Sequence, residues 1–97
     1  MAVYLLTPLA DNIAQARALV EARLDAGDFY ELPNGRGWLI SYRGTSVELS
    51  NFLGITGFPE GGSPTLTSVL ITAASSYYGR ASSDIWEWLK VRFESAP

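Results

Sequence analysis

Asp28-Phe-Tyr-Glu-Leu-Pro-Asn-Gly-Arg-Gly-Trp-Leu-Ile-Ser-Tyr-Arg43 is the stretch that decides how this chain folds. Its middle, Pro33 to Gly37, is turn chemistry, because Pro fixes φ while Asn and Gly accept left-handed backbone. Short aromatic and aliphatic runs stand on either side, Asp28–Leu32 and Trp38–Arg43. Such residues suit the pleated, half-buried surface of a strand. Two runs about one tight turn predict an antiparallel hairpin.

Before the hairpin, Val3–Thr7 reads as a strand closed by Pro8. Asp11 or Asn12 then offers a side-chain oxygen to the free N–H groups of a helix start. Ile13, Ala16, Val20 and Leu24, with Leu19 beside them, recur at helical spacing, and Arg17, Glu21 and Arg23 take the other side. Gly27 is expected to end this helix, as a residue that tolerates positive φ.

After the hairpin, Thr45 or Ser46 starts a second helix that runs through Leu53, and Thr45-Ser-Val-Glu48 has capping-box spacing. Gly54 closes it. Gly54–Thr65 holds four glycines and two prolines and predicts an exposed loop. Leu66–Ala74 returns as a strand, with Val69, Ile71 and Ala73 on one face and Leu70 on the other. Apolar residues on both faces predict cover on both sides. A polar loop, Ser75–Ser83, leads to a last helix from Asp84 to about Glu94. Ser82 or Ser83 is its expected cap, with Asp84 and Glu87 near its positive end.

The order β-α-β-β-α-β-α places the chain in the α+β class. Two βαβ halves predict a ferredoxin-like β-α-β-β-α-β domain over residues 1–97: a four-stranded antiparallel sheet, two helices on one face, and an extra C-terminal helix. Tyr4, Leu6, Trp38, Ile40 and Tyr42, or their neighbours, are expected on the helix-free face, covered by the last helix or by a second subunit.

Composition narrows the chemistry. With no Cys there is no disulfide framework and no thiolate, and with no His there is no imidazole base. Seven Lys and Arg are scattered against ten Asp and Glu, for a formal charge of −3. That balance argues against a dedicated nucleic-acid binder, which neutralises phosphates with basic side chains. No apolar run spans a bilayer and the first residues lack a basic leader, so a cytoplasmic protein without membrane contact is expected.

Two constellations stand out. Tyr77-Tyr78-Gly79-Arg80, between a strand and a helix, sets two phenols and a guanidinium where a small anionic ligand would bind. On the last helix, Trp86 and Trp88 join Ile85, Leu89, Val91 and Phe93 in an apolar arc wide enough to meet two surfaces, and predict a homodimer interface. Aromatics on the first and third strands also permit single-stranded nucleic acid to stack there, although the basic motif of such platforms is absent.

In its Tyr4-Leu-Leu-Thr7 strand, its Trp38-Leu-Ile40 strand and its Trp86-Glu-Trp-Leu-Lys90 helix, the chain resembles a ferredoxin-like superfamily. That superfamily includes CRISPR-adaptation ribonuclease-type subunits, VapD-type toxins and SinR-like proteins. The resemblance implies dimers and, in nuclease-active members, a metal-binding Asp just after the first strand. The register puts that position at Leu9, and Asp11 follows two residues later. The expected function is therefore a non-enzymatic homodimer that binds a protein or a small ligand, with no cofactor. The alternative is a divergent nuclease that uses Asp11 and Mg²⁺.

Overall fold

The computed structural model describes residues 2–57, 62, 68–75, 79–80 and 83–94. The hairpin forms at the expected turn. Asn34 (φ 62°) and Gly35 (φ 66°) both adopt left-handed backbone, the geometry whose twist matches that of the flanking strands. Strand β2 (Phe29–Glu31) lies antiparallel to β3 (Trp38–Tyr42), with Glu31 opposite Trp38. The Leu32 N–H donates to Gly37 O at 2.8 Å and closes the ladder. Strand β1 (Ala2–Pro8) pairs with β3 on one side and with β4 (Val69–Ala74) on the other, so that Leu5 faces Leu39 and Thr72. The sheet order is β2-β3-β1-β4, antiparallel throughout.

Helices α1 (Ile13–Arg23) and α2 (Ser46–Phe52) cover one face. Tyr4 and Leu6 of β1 with Trp38 and Ile40 of β3 form a single core with Ala16, Val20, Leu49 and Leu53. The opposite parity, Val3 and Leu39, packs on Ile85 and Leu89 of α3 (Ser83–Glu94). This corrects the expected face assignment. Tyr4, Leu6, Trp38 and Ile40 are buried beneath α1 and α2, with Tyr42 packed at the margin. The face those two helices leave free carries their neighbours instead, and α3 covers it. The largest fully buried side chains among the described residues are Trp38, Leu6, Ile40, Leu49, Leu53 and Val20. Each contributes roughly 1.5–3 kcal/mol of transfer free energy relative to exposure.

The ends of the helices show which local signals held. Thr45 accepts from the Glu48 N–H at 3.1 Å, and Glu48 Oε1 accepts from the Thr45 N–H at 3.0 Å, a complete capping box. At the other end Gly54 N–H donates to Asn51 O and Ile55 N–H to Ser50 O, each at 3.0 Å. With Gly54 at φ 78° this is a Schellman stop, and Ile55 folds back onto the core.

Helix α1 departs from expectation at both ends. Asn12 makes no capping bond; its Nδ2 donates to Ser68 O at 3.2 Å and ties the start of α1 to the approach of β4. Nor does Gly27 stop the helix. The chain leaves helical geometry at Leu24, whose φ of −117° and ψ of 149° turn its side chain onto the core. Gly27 instead lies in a 3₁₀ turn (Ala26–Asp28), where a Cβ would come within 3.2 Å of Arg92 Nη2. Its missing side chain makes room for that guanidinium.

A forked ion pair fastens α1 to β2. Arg17 Nε and Nη2 donate to Glu31 Oε1 and Oε2 at 2.8 and 3.0 Å. Hydrogen bonding from Arg17 holds the Glu31 carboxyl below its ordinary value of 4.5. Partial burial opposes this, while the guanidinium charge adds to it. Because the folded value lies below the unfolded one, Glu31 stabilises the fold fully above about pH 4.5 and ceases to as pH falls through the folded value. Urea midpoints of wild type and Glu31→Gln, measured from about pH 7 down to about pH 3, are expected to converge at the acid end. A gap that stays constant with pH would contradict this assignment.

Candidate functional site

The residues expected to carry chemistry do not converge. Asp11 stands exposed in a bend between β1 and α1. Its neighbours are engaged with Ser68: the Leu9 N–H donates to Ser68 O at 2.9 Å, beside the Asn12 contact. Among the described residues no group of three acidic side chains gathers where a metal ion would sit. Tyr77 and Tyr78 lie outside the described residues, as does Ser82. Arg80 is exposed, and so is Gly79, whose φ is 152°. A Cβ on Gly79 would lie 3.9 Å from the Trp86 ring, so this end of the loop runs beside α3.

Helix α3 is amphipathic in the ordinary way. Ile85 and Leu89, one turn apart, face the sheet in one cluster with Val3 and Leu39, and Trp86 and Trp88 pack half-buried against that cluster. Trp88 Nε1 is buried without a hydrogen-bond partner, and the Arg92 guanidinium lies 5.6 Å from the ring centroid. Arg92 also reaches Asp28 at 3.9 Å, at the outer limit of an ion pair. Among the described side chains of α3 the exposed positions are Ser83, Asp84, Glu87, Lys90 and Val91. Of these only Val91 is apolar, at 58% exposure. Of the apolar arc, Ile85 and Leu89 are spent on the chain's own sheet, Trp86 and Trp88 are half-buried, and the Phe93 side chain lies outside the described residues.

Of the aromatic rings of β1 and β3, only Tyr42 is partly open, and it packs on Phe52 with ring centroids 5.8 Å apart. Tyr4 and Trp38 are 4% and 0% exposed, and the Tyr4 hydroxyl donates to Gly44 O within the fold. A small groove of about 250 Å³ at one end of the sheet gathers Arg23 and Arg43, but Asp25 and Asp28 line it too and offset their charge.

What sequence reasoning missed lies at the β4 end of the sheet. The expectation of cover on both faces fails there: Leu70, Thr72 and Ala73 are exposed, Leu70 at 49%. Beside β4 runs a groove of about 570 Å³, floored by Ile55, Val69 and Ile71 and bordered by α2. Three of its polar side chains are linked by hydrogen bonds. Ser50 Oγ and Thr56 Oγ1 are 2.7 Å apart, and Thr56 Oγ1 donates to Asn51 Oδ1 at 2.7 Å. Val47, on the border, is 65% exposed, the highest value of any large apolar side chain described. The sequence did carry one signal of this. Val69-Leu-Ile-Thr-Ala-Ala74 contains no charge, Pro or Gly, whereas Phe29-Tyr-Glu31 of the opposite edge contains Glu31. No family model, no curated protein and no solved structure matches this chain.

Proposed function

We propose that this chain is a non-enzymatic interaction module that acts as a homodimer on a ferredoxin-like sheet. The strand order β2-β3-β1-β4, antiparallel throughout with α1 and α2 on one face, supports the ferredoxin-like reading. The observation that carries the dimer is the exposure of two large apolar side chains on elements that are otherwise well packed: Val47 on α2 and Leu70 on β4. Exposed apolar side chains grouped beside a groove, as Val47 is, mark contact surfaces. The resemblance to CRISPR-adaptation, VapD-type and SinR-like proteins agrees with a dimer. Among the described residues Asp11 belongs to no group of three acidic side chains that could hold a metal ion for the nuclease alternative. Arg80, exposed beside α3, is where a small anionic ligand would be held within the same proposal.

Sedimentation equilibrium over a concentration series tests the reading. The expected mass approaches twice 10.6 kDa, about 21 kDa. A mass of 10.6 kDa at every concentration would overturn it.

A further inference from the structure

We infer that two copies of this chain join through β4, edge to edge and antiparallel, to make one continuous eight-stranded sheet. The inference rests on the homodimer reading and says where the two copies meet. A sheet that is not closed has two edges, each a row of backbone donors and acceptors open to another strand. Here the two edges differ in kind. The β2 edge is three residues long, flanked by the 3₁₀ turns Ala26–Asp28 and Pro33–Gly35, and it carries Glu31 held by Arg17. Short edges and charged side chains are devices that keep foreign strands away.

The β4 edge has none of these. It is six residues long, uncharged throughout, and outermost in the sheet order, so among the described residues no strand pairs with its far side. Symmetry then fixes much of the joint. Two antiparallel copies of one strand in one sheet are related by a two-fold axis perpendicular to that sheet, and each copy presents the same patch to the other. Residues that face each other must therefore share a face. With the axis at Ile71, Leu70 meets the partner's Thr72 and Val69 meets the partner's Ala73. With the axis at Thr72, Leu70 meets the partner's Ala74. Neither register sets like charges in opposition, and both set apolar or β-branched residues across the joint, the pairs that stabilise sheets.

The same operation keeps both α2 helices on one side of the enlarged sheet and both α3 helices on the other. Each α2 then lies beside the partner's β4, over the groove floored by Val69 and Ile71. Val47 on the α2 side and Leu70 on the α3 side, 65% and 49% exposed, flank the joint from opposite faces. One edge contact thus withdraws from water an exposed residue on each face, which no contact through α3 achieves.

The experiment uses the full chain, which has no native cysteine. Ile71→Cys, Thr72→Cys and Val91→Cys are made singly and oxidised mildly, and Thr72→Lys is examined by sedimentation with circular dichroism as the check on folding. Thr72 is exposed, so the lysine adds no buried charge. The expected result is a disulfide-linked dimer for whichever of Ile71→Cys or Thr72→Cys sits on the axis, and none for Val91→Cys. Thr72→Lys is expected to raise the dissociation constant at least about tenfold with its dichroism unchanged. A wild-type dimer that cross-links only through Val91→Cys and survives Thr72→Lys would overturn the β4 joint and leave the homodimer standing. A wild-type monomer at all concentrations would overturn both.

Discussion

Trp38→Ala is expected to cost about 3–5 kcal/mol, the range for removing a large aromatic side chain from a packed core. Trp38 has no exposed surface and sits on the central strand β3 under α1 and α2, in one cluster with Leu6, Ile40, Leu49 and Leu53. No small rearrangement fills that space, because its neighbours come from both covering helices and the sheet. A domain of this length has roughly 5–15 kcal/mol in all, so the variant approaches the limit of folding at ordinary temperature. In thermal unfolding the loss corresponds to a fall in Tm on the order of 20 °C. Trp38→Phe separates volume from polarity: Trp38 Nε1 is buried with no hydrogen-bond partner, so dropping it forfeits little. The phenylalanine variant is therefore expected to lose clearly less than the alanine variant. A Trp38→Ala variant within about 1 kcal/mol of wild type would contradict the burial of this ring.

Gly35→Ala is expected to be nearly as costly for a single added methyl group. Two effects act together there. Gly35 sits at φ 66°, where a Cβ crowds the backbone at a cost of roughly 1–2 kcal/mol. The added atom would also lie 2.3 Å from Ile13 Cγ2, far inside contact distance, so α1 or the hairpin must shift. Overpacking of this kind costs about 1–3 kcal/mol. A total near 3 kcal/mol is expected by urea denaturation, and a cycle with Ile13→Ala divides it. Removing the Ile13 side chain relieves the collision and leaves the backbone penalty, so the double variant should be more stable than the sum of the singles implies. Asn34→Gly is the control: Asn34 shares the left-handed backbone at φ 62° but is exposed, and glycine there is expected to be close to neutral. Additive costs in the cycle would contradict the contact between the turn and α1.

These two positions also show what was legible in the sequence. The Asn34-Gly35 turn, the Thr45–Glu48 box and the Gly54 stop are local chemistry, fixed within a few residues, and each formed as read. The order of strands and helices was readable for the same reason. Which way the strands face was not. Val3-Tyr-Leu-Leu6 and Trp38-Leu-Ile40 are apolar on both parities, because β1 and β3 are central strands with helices on both sides. With no polar alternation, a one-residue slip in reading exchanges the two faces. The inference of two-sided cover was sound physics applied to the wrong strand: it holds for β1 and β3, whereas β4 is an edge.

The candidate site was less legible still. That Ile85 and Leu89 meet Val3 and Leu39, with Trp86 and Trp88 packed against that cluster, depends on where α3 crosses the sheet, which no local pattern records. An edge is likewise a property of strand order. Only the lack of charge in Val69–Ala74 was there to be read, and it gains meaning beside the guarded edge at Glu31.

The joint at β4 is tested most directly by amide hydrogen exchange as a function of protein concentration. An edge strand in a monomer leaves its outward amides open to water, and pairing closes them. The account predicts that outward amides within residues 69–74 slow progressively as concentration rises through the dimerisation range, while those of β2 and α3 do not change. Exchange in β4 that is independent of concentration, in a protein shown by mass to be dimeric, would contradict it.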